Sequence, residues 1–356
     1  MSFMFTKIYL FSPFINEEAR LAAYNALGKR IIGQGEKVLK FEKLLGQKLK
    51  IKNVLAVNSG TSALELAYHL LGLKKGDEVI VPVFTCSATA VPLKRHGVKV
   101  VFADINNELL LDWDDVKKKI TSRTKAIVNV HLFGKYNKAP RLPVPIIGDA
   151  AQYLGKTSGE RFTAYSFQAT KIITTVDGGA LACERKSDYK RAKLLRWYGL
   201  DRETKKEQTD VDIKEAGYKY HMNDVTASMG IAGLKSLDRL KKERAKLQKR
   251  YKELIGGLGG SPYLIRVSDI TNVSDREKIR KKLALKGIET GLVHRRNDLH
   301  TIFGGKRLNL PNMNRLEKNY LFLPCHNNMT LKDVDYICKI IKKYVDKIKF
   351  RVRQRT

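Results

Sequence analysis

The sequence predicts an α/β protein: a large unit on a mostly parallel sheet covered on both faces, then a smaller α+β unit. Three observations carry this. Short apolar, β-rich runs recur between about residues 36 and 200, with helix-period segments between many of them, a pattern that suits a doubly covered parallel sheet. A long, basic, amphipathic stretch, "RLKKERAKLQKRYKELIGGLGG" (239–260), ends in a double-glycine stop and leads into the remainder. At 356 residues the chain has room for one large domain and one smaller one. The division is placed at 1–238 and 239–356.

Taken in order, the strand candidates are "NVLAVNS" (53–59), "EVIVPVF" (78–84), "VKVVFADI" (98–105), "KAIVNVHLFG" (125–134), "VPIIGDA" (144–150), "TAYSF" (163–167) and "GGALAC" (178–183). After the first comes "TSALELAYHLLGLKKGD" (61–77), a helix that opens on a Thr/Ser cap and closes at Gly76 beyond a lysine pair. Beyond the long helix the pattern gives a strand ("SPYLIRVSD", 261–269), a helix (274–287), a strand ("IETGLVH", 288–294) and a last helix (330–348). There is no internal repeat and no low-complexity linker.

Lys+Arg number 68 against 36 Asp+Glu, a formal net charge of +32. Such a field attracts anions. The basic residues are spread along the whole chain, and no cluster shows interleaved aromatics, a C-x-x-C pair or a nucleic-acid module, so small anionic molecules are favoured over nucleic acid. No apolar run approaches the ~20 residues that span a bilayer. The start lacks a secretory pattern, and Cys86, Cys183, Cys325 and Cys338 form no metal-type pair. The expectation is a cytoplasmic chain with reduced thiols and no metal.

Three motifs bear on chemistry. "NSGTSALELA" (58–67) sits where a strand becomes a helix, and unpaired amides at a helix N-terminus suit either a phosphate or an ordinary cap. "IIGDAAQYLG" (146–155) puts Asp149 at the carboxyl end of an apolar strand, as a cap for the next helix or as the partner of a buried cation. "YSFQATKIITTVDGGAL" (165–181) holds Lys171 among small and β-branched residues with no charged neighbour for several positions. A lysine there either snorkels or, losing hydration, becomes a neutral nucleophile. Read together, an anion site, a carboxylate and an unshielded lysine, spaced by about 90 and about 22 residues, are the parts that hold pyridoxal phosphate.

Those motifs, with "GDEVIVPVFTCSATA", "AIVNVHLFG" and "GYKYHMNDVTASMGIAGL", make the chain resemble the DegT/DnrJ/EryC1/StrS family of pyridoxal-phosphate-dependent nucleotide-sugar aminotransferases. The match runs from "FINEEARLAAYNALGKRIIGQGEKVLKFEKLL" to "NYLFLPCHNNMT". The resemblance implies the type-I aspartate aminotransferase fold, with the cofactor in the large domain and the N-terminal segment packed on it. It implies that Lys171 forms the Schiff base and shuttles the proton, and that Asp149 pairs with the pyridine nitrogen. Gln152 would lie near the ring hydroxyl, and Ser59, Gly60, Thr61 and Ser166 would hold the phosphate. The "GYKYHMND" segment would enter a neighbouring subunit's site in a homodimer with shared active sites.

Two positions depart from the family pattern. Cys86 stands where an aromatic usually stacks on the ring, and Phe84, two residues away on the same strand side, is the expected substitute. Lys219 stands where the cross-subunit segment usually carries Asn; it can still reach a phosphate as a point charge. In "GLVHRRNDLHTIFGG" (291–305), His294, Arg295, Arg296 and Asn297 are substrate-contact candidates, or else a solvated loop. His131 reads as structural and Asp177 as a turn residue. The resemblance thus implies amino transfer from L-glutamate, by way of pyridoxamine phosphate, to a nucleotide-linked keto-sugar, a 4-keto-6-deoxyhexose aminated at C4. Related dehydratases carry histidine at the lysine position, so Lys171 favours transfer. A sugar dehydratase or lyase of the same fold, and a non-enzymatic polyanion-binding regulator, remain the alternatives.

Overall fold

In a computed structural model the described residues are 7–201, 212–257, 259–261, 263–266 and 273–353. Positions 262 and 267–269 of the candidate strand 261–269 lie outside them. The chain runs α1 (Glu17–Leu27), α2 (Glu36–Leu49), β1 (Val54–Val57), α3 (Gly60–Leu70), β2 (Glu78–Pro82), α4 (Ser87–Arg95), β3 (Lys99–Ala103), α5 (Trp113–Lys119), β4 (Thr124–Val130), β5 (Ile146–Ala150), β6 (Phe162–Ser166), β7 (Gly179–Cys183) and α6 (Lys186–Leu195). It continues through α7 (Asp224–Ile255), β8 (Tyr263–Arg266), α8 (Val273–Ala284), α9 (Pro311–Leu316), β9 (Tyr320–Leu323) and α10 (Leu331–Arg353).

Among the described residues the strands form a seven-stranded sheet in the order β1-β7-β6-β5-β4-β2-β3 and a two-stranded antiparallel sheet of β8 and β9. From β3 to β6 every pairing is parallel; β7 runs antiparallel to both β6 and β1. Alternation along the strands explains the two covered faces. Leu55, Val57, Leu181 and Ala164 join the core under α3 and α4, while Val54, Ala56, Ala182 and Tyr165 join the one under α2 and α7. Parallel strands buried on both faces read as the continuous apolar runs that marked them in the sequence.

Three elements differ from the sequence reading. The first helix of the sheet region stops at Leu70, not at Gly76. Gly72 takes φ +66, and the amides of Gly72 and Leu73 turn back to His69 and Tyr68 at 2.8 and 3.3 Å, closing the helix there. No strand forms over 288–294, where Val293 takes φ +62 and the backbone makes only isolated bridges at Ile288 and Gly291. The long helix begins at Asp224, well before residue 239, and is continuous across 238. Its start is capped by Asn223, which accepts the Thr226 amide, while the Asp224 carboxylate ties it to α2 by accepting the amides of Gly35, Lys37 and Val38 at that helix's head. Along α7, Leu234, Leu237 and Leu240 pack into the large unit, whereas Leu247 and Tyr251 pack with α8, β9 and α10.

Candidate active site

Ligand sites in open α/β sheets lie outside the carboxyl ends of the strands, and there the three motifs meet. Asp149, the penultimate residue of β5, is 5% exposed. Its Oδ2 accepts the Thr89 hydroxyl at 2.7 Å and its Oδ1 the Ala151 amide at 3.1 Å. Thr89 is itself set by the Thr85 hydroxyl, 3.0 Å away, and its carbonyl accepts the buried Tyr68 hydroxyl at 2.7 Å. The carboxylate is held rigidly and keeps lone pairs for a further donor.

Lys171 lies on the loop between β6 and β7, and internal hydrogen bonds brace that loop. The Lys171 amide donates to the Gln168 carbonyl (2.9 Å), the Thr175 amide to the Phe167 carbonyl (2.9 Å) and the Phe167 amide to the Gly178 carbonyl (2.8 Å). Ile173 anchors the loop in the core. Burial pushes the Lys171 ammonium below its ordinary pKa, opposed in part by Asp149 and Cys86 nearby. The Lys171 residue is half-buried, and Asp149 is the first opposing charge that it feels.

Ser59 caps α3, its hydroxyl accepting the Ser62 amide at 3.0 Å. That leaves the Gly60 and Thr61 amides in the first turn, without a helical carbonyl to receive them. Two glycines let the strand ends press against this turn. A Cβ on Gly60 would lie 2.9 Å from Ser166 Cβ, and one on Gly179 would lie 2.4 Å from the Ser59 carbonyl carbon. The result is an anion cradle flanked by the Ser166 hydroxyl.

Gln152 and His294 complete the inner wall. The Gln152 carbonyl accepts the Phe133 amide at 2.9 Å, so its NH₂ faces His294 Nε2, 3.4 Å away. His294 is therefore the acceptor and carries its proton on Nδ1. Burial, and then the charge of Lys171, push its pKa down to about 4, which keeps the ring neutral.

The expectation for Phe84 is corrected. Strand β2 ends at Pro82, so alternation does not carry on to Phe84 and Cys86. Phe84 is fully buried, edge-on to His294 and Tyr320 at ring centroid distances of 5.7 and 5.4 Å, and turns into the core rather than towards a ring at the site. Cys86 is exposed at the start of α4.

Arg296 and Asn297 are likewise corrected as substrate contacts. The Arg296 guanidinium is 3% exposed and grips Asp298 through Nε and Nη2 at 2.7 and 2.6 Å. Asn297 is fully buried and ties the small unit to the end of β2 through the Val83 and Thr85 carbonyls. Arg295 is exposed. Lys219 hangs its ammonium over Trp197 and Tyr198, 5.4 Å from each ring centroid, and its carbonyl accepts from Asn58 beside the cradle. His131 is fully buried between Glu160 (2.8 Å) and the Asn137 amide (3.1 Å), a structural position. Asp177 follows Val176 at φ +69 in a turn, its carbonyl accepting the Thr175 hydroxyl.

A cavity of about 450 Å³ opens beside Lys171. Ser166, Gln152 and Lys171 line it together with Lys241, Arg244 and Gln248 of α7. The α7 residues, and Thr89 behind Asp149, were not singled out from the sequence. Thr85 and Thr89 stand four apart in "FTCSATA", a spacing that could have flagged them, whereas Arg244 is one of 68 basic residues and carries no local signal.

These residues fit pyridoxal phosphate. A cradle that any Cβ would fill receives the phosphate, Asp149 offers an acceptor to a ring N–H, and Lys171 supplies an amine depressed by burial. Similarity to known proteins agrees. The chain is 31% identical over 363 residues to the UDP-4-amino-4,6-dideoxy-N-acetyl-β-L-altrosamine transaminase of Campylobacter jejuni, spanning 92% of this chain and 95% of that protein. It is 30% identical over 375 residues to the uncharacterized protein MJ1066 of Methanocaldococcus jannaschii, spanning 94% and 97%. Spr1654 of Streptococcus pneumoniae, solved in its PMP and PLP forms, is 26% identical with a TM-score of 0.88; its PMP form spans 98% of this chain and 100% of that one. The model of the DegT/DnrJ/EryC1/StrS aminotransferase family matches residues 13–342, and this chain belongs to that family of pyridoxal-phosphate enzymes.

Proposed function

We propose that this aminotransferase moves an amino group from L-glutamate to C4 of a nucleotide-linked 4-keto-6-deoxyhexose. It acts as a cytoplasmic homodimer in which "GYKYHMND" of each subunit, Lys219 included, completes the other's phosphate site. The large unit, 1–238, carries the cofactor and the small one, 239–356, closes over the substrate. The observation that carries the reading is Lys171, held by its loop with a depressed ammonium beside Asp149 and on the wall of the cavity.

Bound pyridoxal phosphate supplies an electron-withdrawing ring that stabilises charge at the carbon being deprotonated. The protein's own part is positional. Asp149, fixed by Thr89 and the Ala151 amide, accepts the ring N–H and keeps that ring cationic. Gly60, Thr61 and Ser166 hold the phosphate at the positive end of α3. Gln152, held between Phe133 and His294, would offer its side-chain amide to the cofactor. Lys171 Nζ would carry a proton between the donor's carbon and the cofactor in one half-reaction and between the cofactor and the sugar carbon in the other, and burial, by lowering its pKa, favours that role. The substrate's diphosphate is drawn by a chain of net charge +32, with the exposed Arg295 at the small unit's edge. The named activity of the Campylobacter jejuni relative, a transaminase of a UDP-linked amino sugar, supports the substrate class.

The test is incubation of the cofactor-loaded protein with L-glutamate and a panel of UDP-, dTDP- and GDP-linked 3- and 4-keto-sugars, followed by mass spectrometry. An amino sugar is expected from a 4-keto substrate; loss of the 3-hydroxyl without nitrogen gain would point instead to dehydration and overturn the reading.

A further inference from the structure

Arg244 is a cation that the fold takes largely out of water without matching it. Its Nε is buried and makes no hydrogen bond. Its Nη2 donates to Asn327 Oδ1, a neutral amide, at 2.8 Å. Among the described residues no carboxylate lies within ion-pair distance of it. The nearest acid along the helix, Glu243, is engaged with Arg239 at 2.8 Å. Burial pushes the guanidinium below its usual pKa, with only the Cys325 thiol opposing.

Two arginines buried elsewhere in the fold contrast with it directly. Arg196 meets Glu42 at 2.5 Å, and Arg296 meets Asp298 at 2.6 Å. A charge removed from water is costly unless an opposite charge or full hydrogen bonding compensates it. The uncompensated one lines the same cavity as Lys171. Lys241, three residues earlier on α7, lines that cavity too; its ammonium donates to the Leu154 carbonyl at 2.6 Å, again to a neutral acceptor. Two cations three apart share one helix face, and both have neutral partners.

We propose that Arg244, assisted by Lys241, is an oxyanion-binding subsite on the wall of the cavity that Lys171 also lines, and that its ligand is a carboxylate or phosphate carried by a substrate of the amino transfer. This rests on the aminotransferase reading of the same cavity. A guanidinium N–H is a directional donor to either oxyanion, and the missing counter-charge arrives with the ligand.

The experiment is equilibrium binding to the cofactor-loaded protein, by calorimetry, of 2-oxoglutarate in one arm and UDP in the other, for the wild type, Arg244→Gln and Arg244→Lys. Expected is a rise in Kd of about 10- to 100-fold for one ligand in Arg244→Gln, the worth of a charge-assisted hydrogen bond, with partial recovery in Arg244→Lys. Loss confined to 2-oxoglutarate assigns the subsite to the amino donor's carboxylate, and loss confined to UDP assigns it to the diphosphate. Both support the proposal. Wild-type affinity for both ligands in a variant that keeps the visible band of bound cofactor overturns it. Inorganic sulfate added to the wild type is a check that needs no variant: it must compete with the same ligand, and failure to compete also overturns the proposal. Amination of a keto-sugar is read separately, so an unproductive substrate panel would sink the proposed reaction without touching this binding result.

Discussion

Residues 294–298 and residues 149–171 each supply a cation and a carboxylate, and they use them in opposite ways. In the first, Arg296 closes on Asp298 with two bonds of 2.7 and 2.6 Å, and the Leu308 amide takes the same carboxylate at 2.8 Å. In the second, Asp149 is held by a hydroxyl and an amide, and among the described residues no ion pair joins it to Lys171, though each feels the other's charge. The closed pair spends its charges on architecture. The open pair leaves an amine and an acceptor available to a third molecule.

The largest expected effect breaks the open arrangement. Lys171→Ala removes both the covalent anchor and the proton carrier, so amino transfer falls by at least about 10²–10⁴-fold, the scale of a lost acid–base group. The visible absorbance of bound cofactor goes with it, read by spectrophotometry on the same sample. Next comes the closed arrangement. Arg296→Met strands the Asp298 charge, and denaturant unfolding should show a loss of about 3–5 kcal/mol. Unchanged stability with a raised KM for the sugar would mean that Arg296 meets substrate after all, and the contrast would fail.

A third prediction concerns pH. His294 has its pKa lowered from 6.5 to about 4 in the folded protein. Between those values the unfolded chain binds the proton and the folded one does not, so stability is full above pH ~6.5 and declines as the pH falls towards about 4. The linkage is worth about 3 kcal/mol over that window. Unfolding free energies of wild type and His294→Gln, measured from pH 7 to 4, should differ by this slope; parallel curves would show that the ring is not held neutral. The smallest effect is expected at the cradle. Gly179→Ala forces a methyl against the Ser59 backbone, costing about 1–3 kcal/mol of stability and weakening cofactor retention on dialysis, while the Arg296–Asp298 pair is left intact.

Much of the open arrangement was legible in the sequence because its parts are local: a cap at a strand-to-helix turn, an acid at a strand end, a lysine isolated among small residues. The central strands were legible for the same reason, as apolar runs buried on both faces. What escaped depends on contacts between distant segments. The alternation that placed Phe84 on a stacking face assumed that β2 continues past Pro82, and it does not. Arg296 and Asn297 read as a basic loop because Asp298 and the Val83 and Thr85 carbonyls become their partners only through folding. Helix α7 begins 15 residues earlier than its basic stretch suggests, because Asn223 caps its start and Asp224 ties that start to α2.

That helix has a mechanical consequence. Its 32 residues make a rod about 48 Å long, with Asp224 clasping α2 at one end and Arg244 lining the cavity roughly 30 Å along the axis. An unbroken helix links the cavity wall at Arg244 to the clasp on α2, so the two ends behave as parts of one rod. With the proposed subsite in place, the span between a ligand's reacting carbon and its anionic group would set its affinity, and a shorter or longer homologue would bind less well.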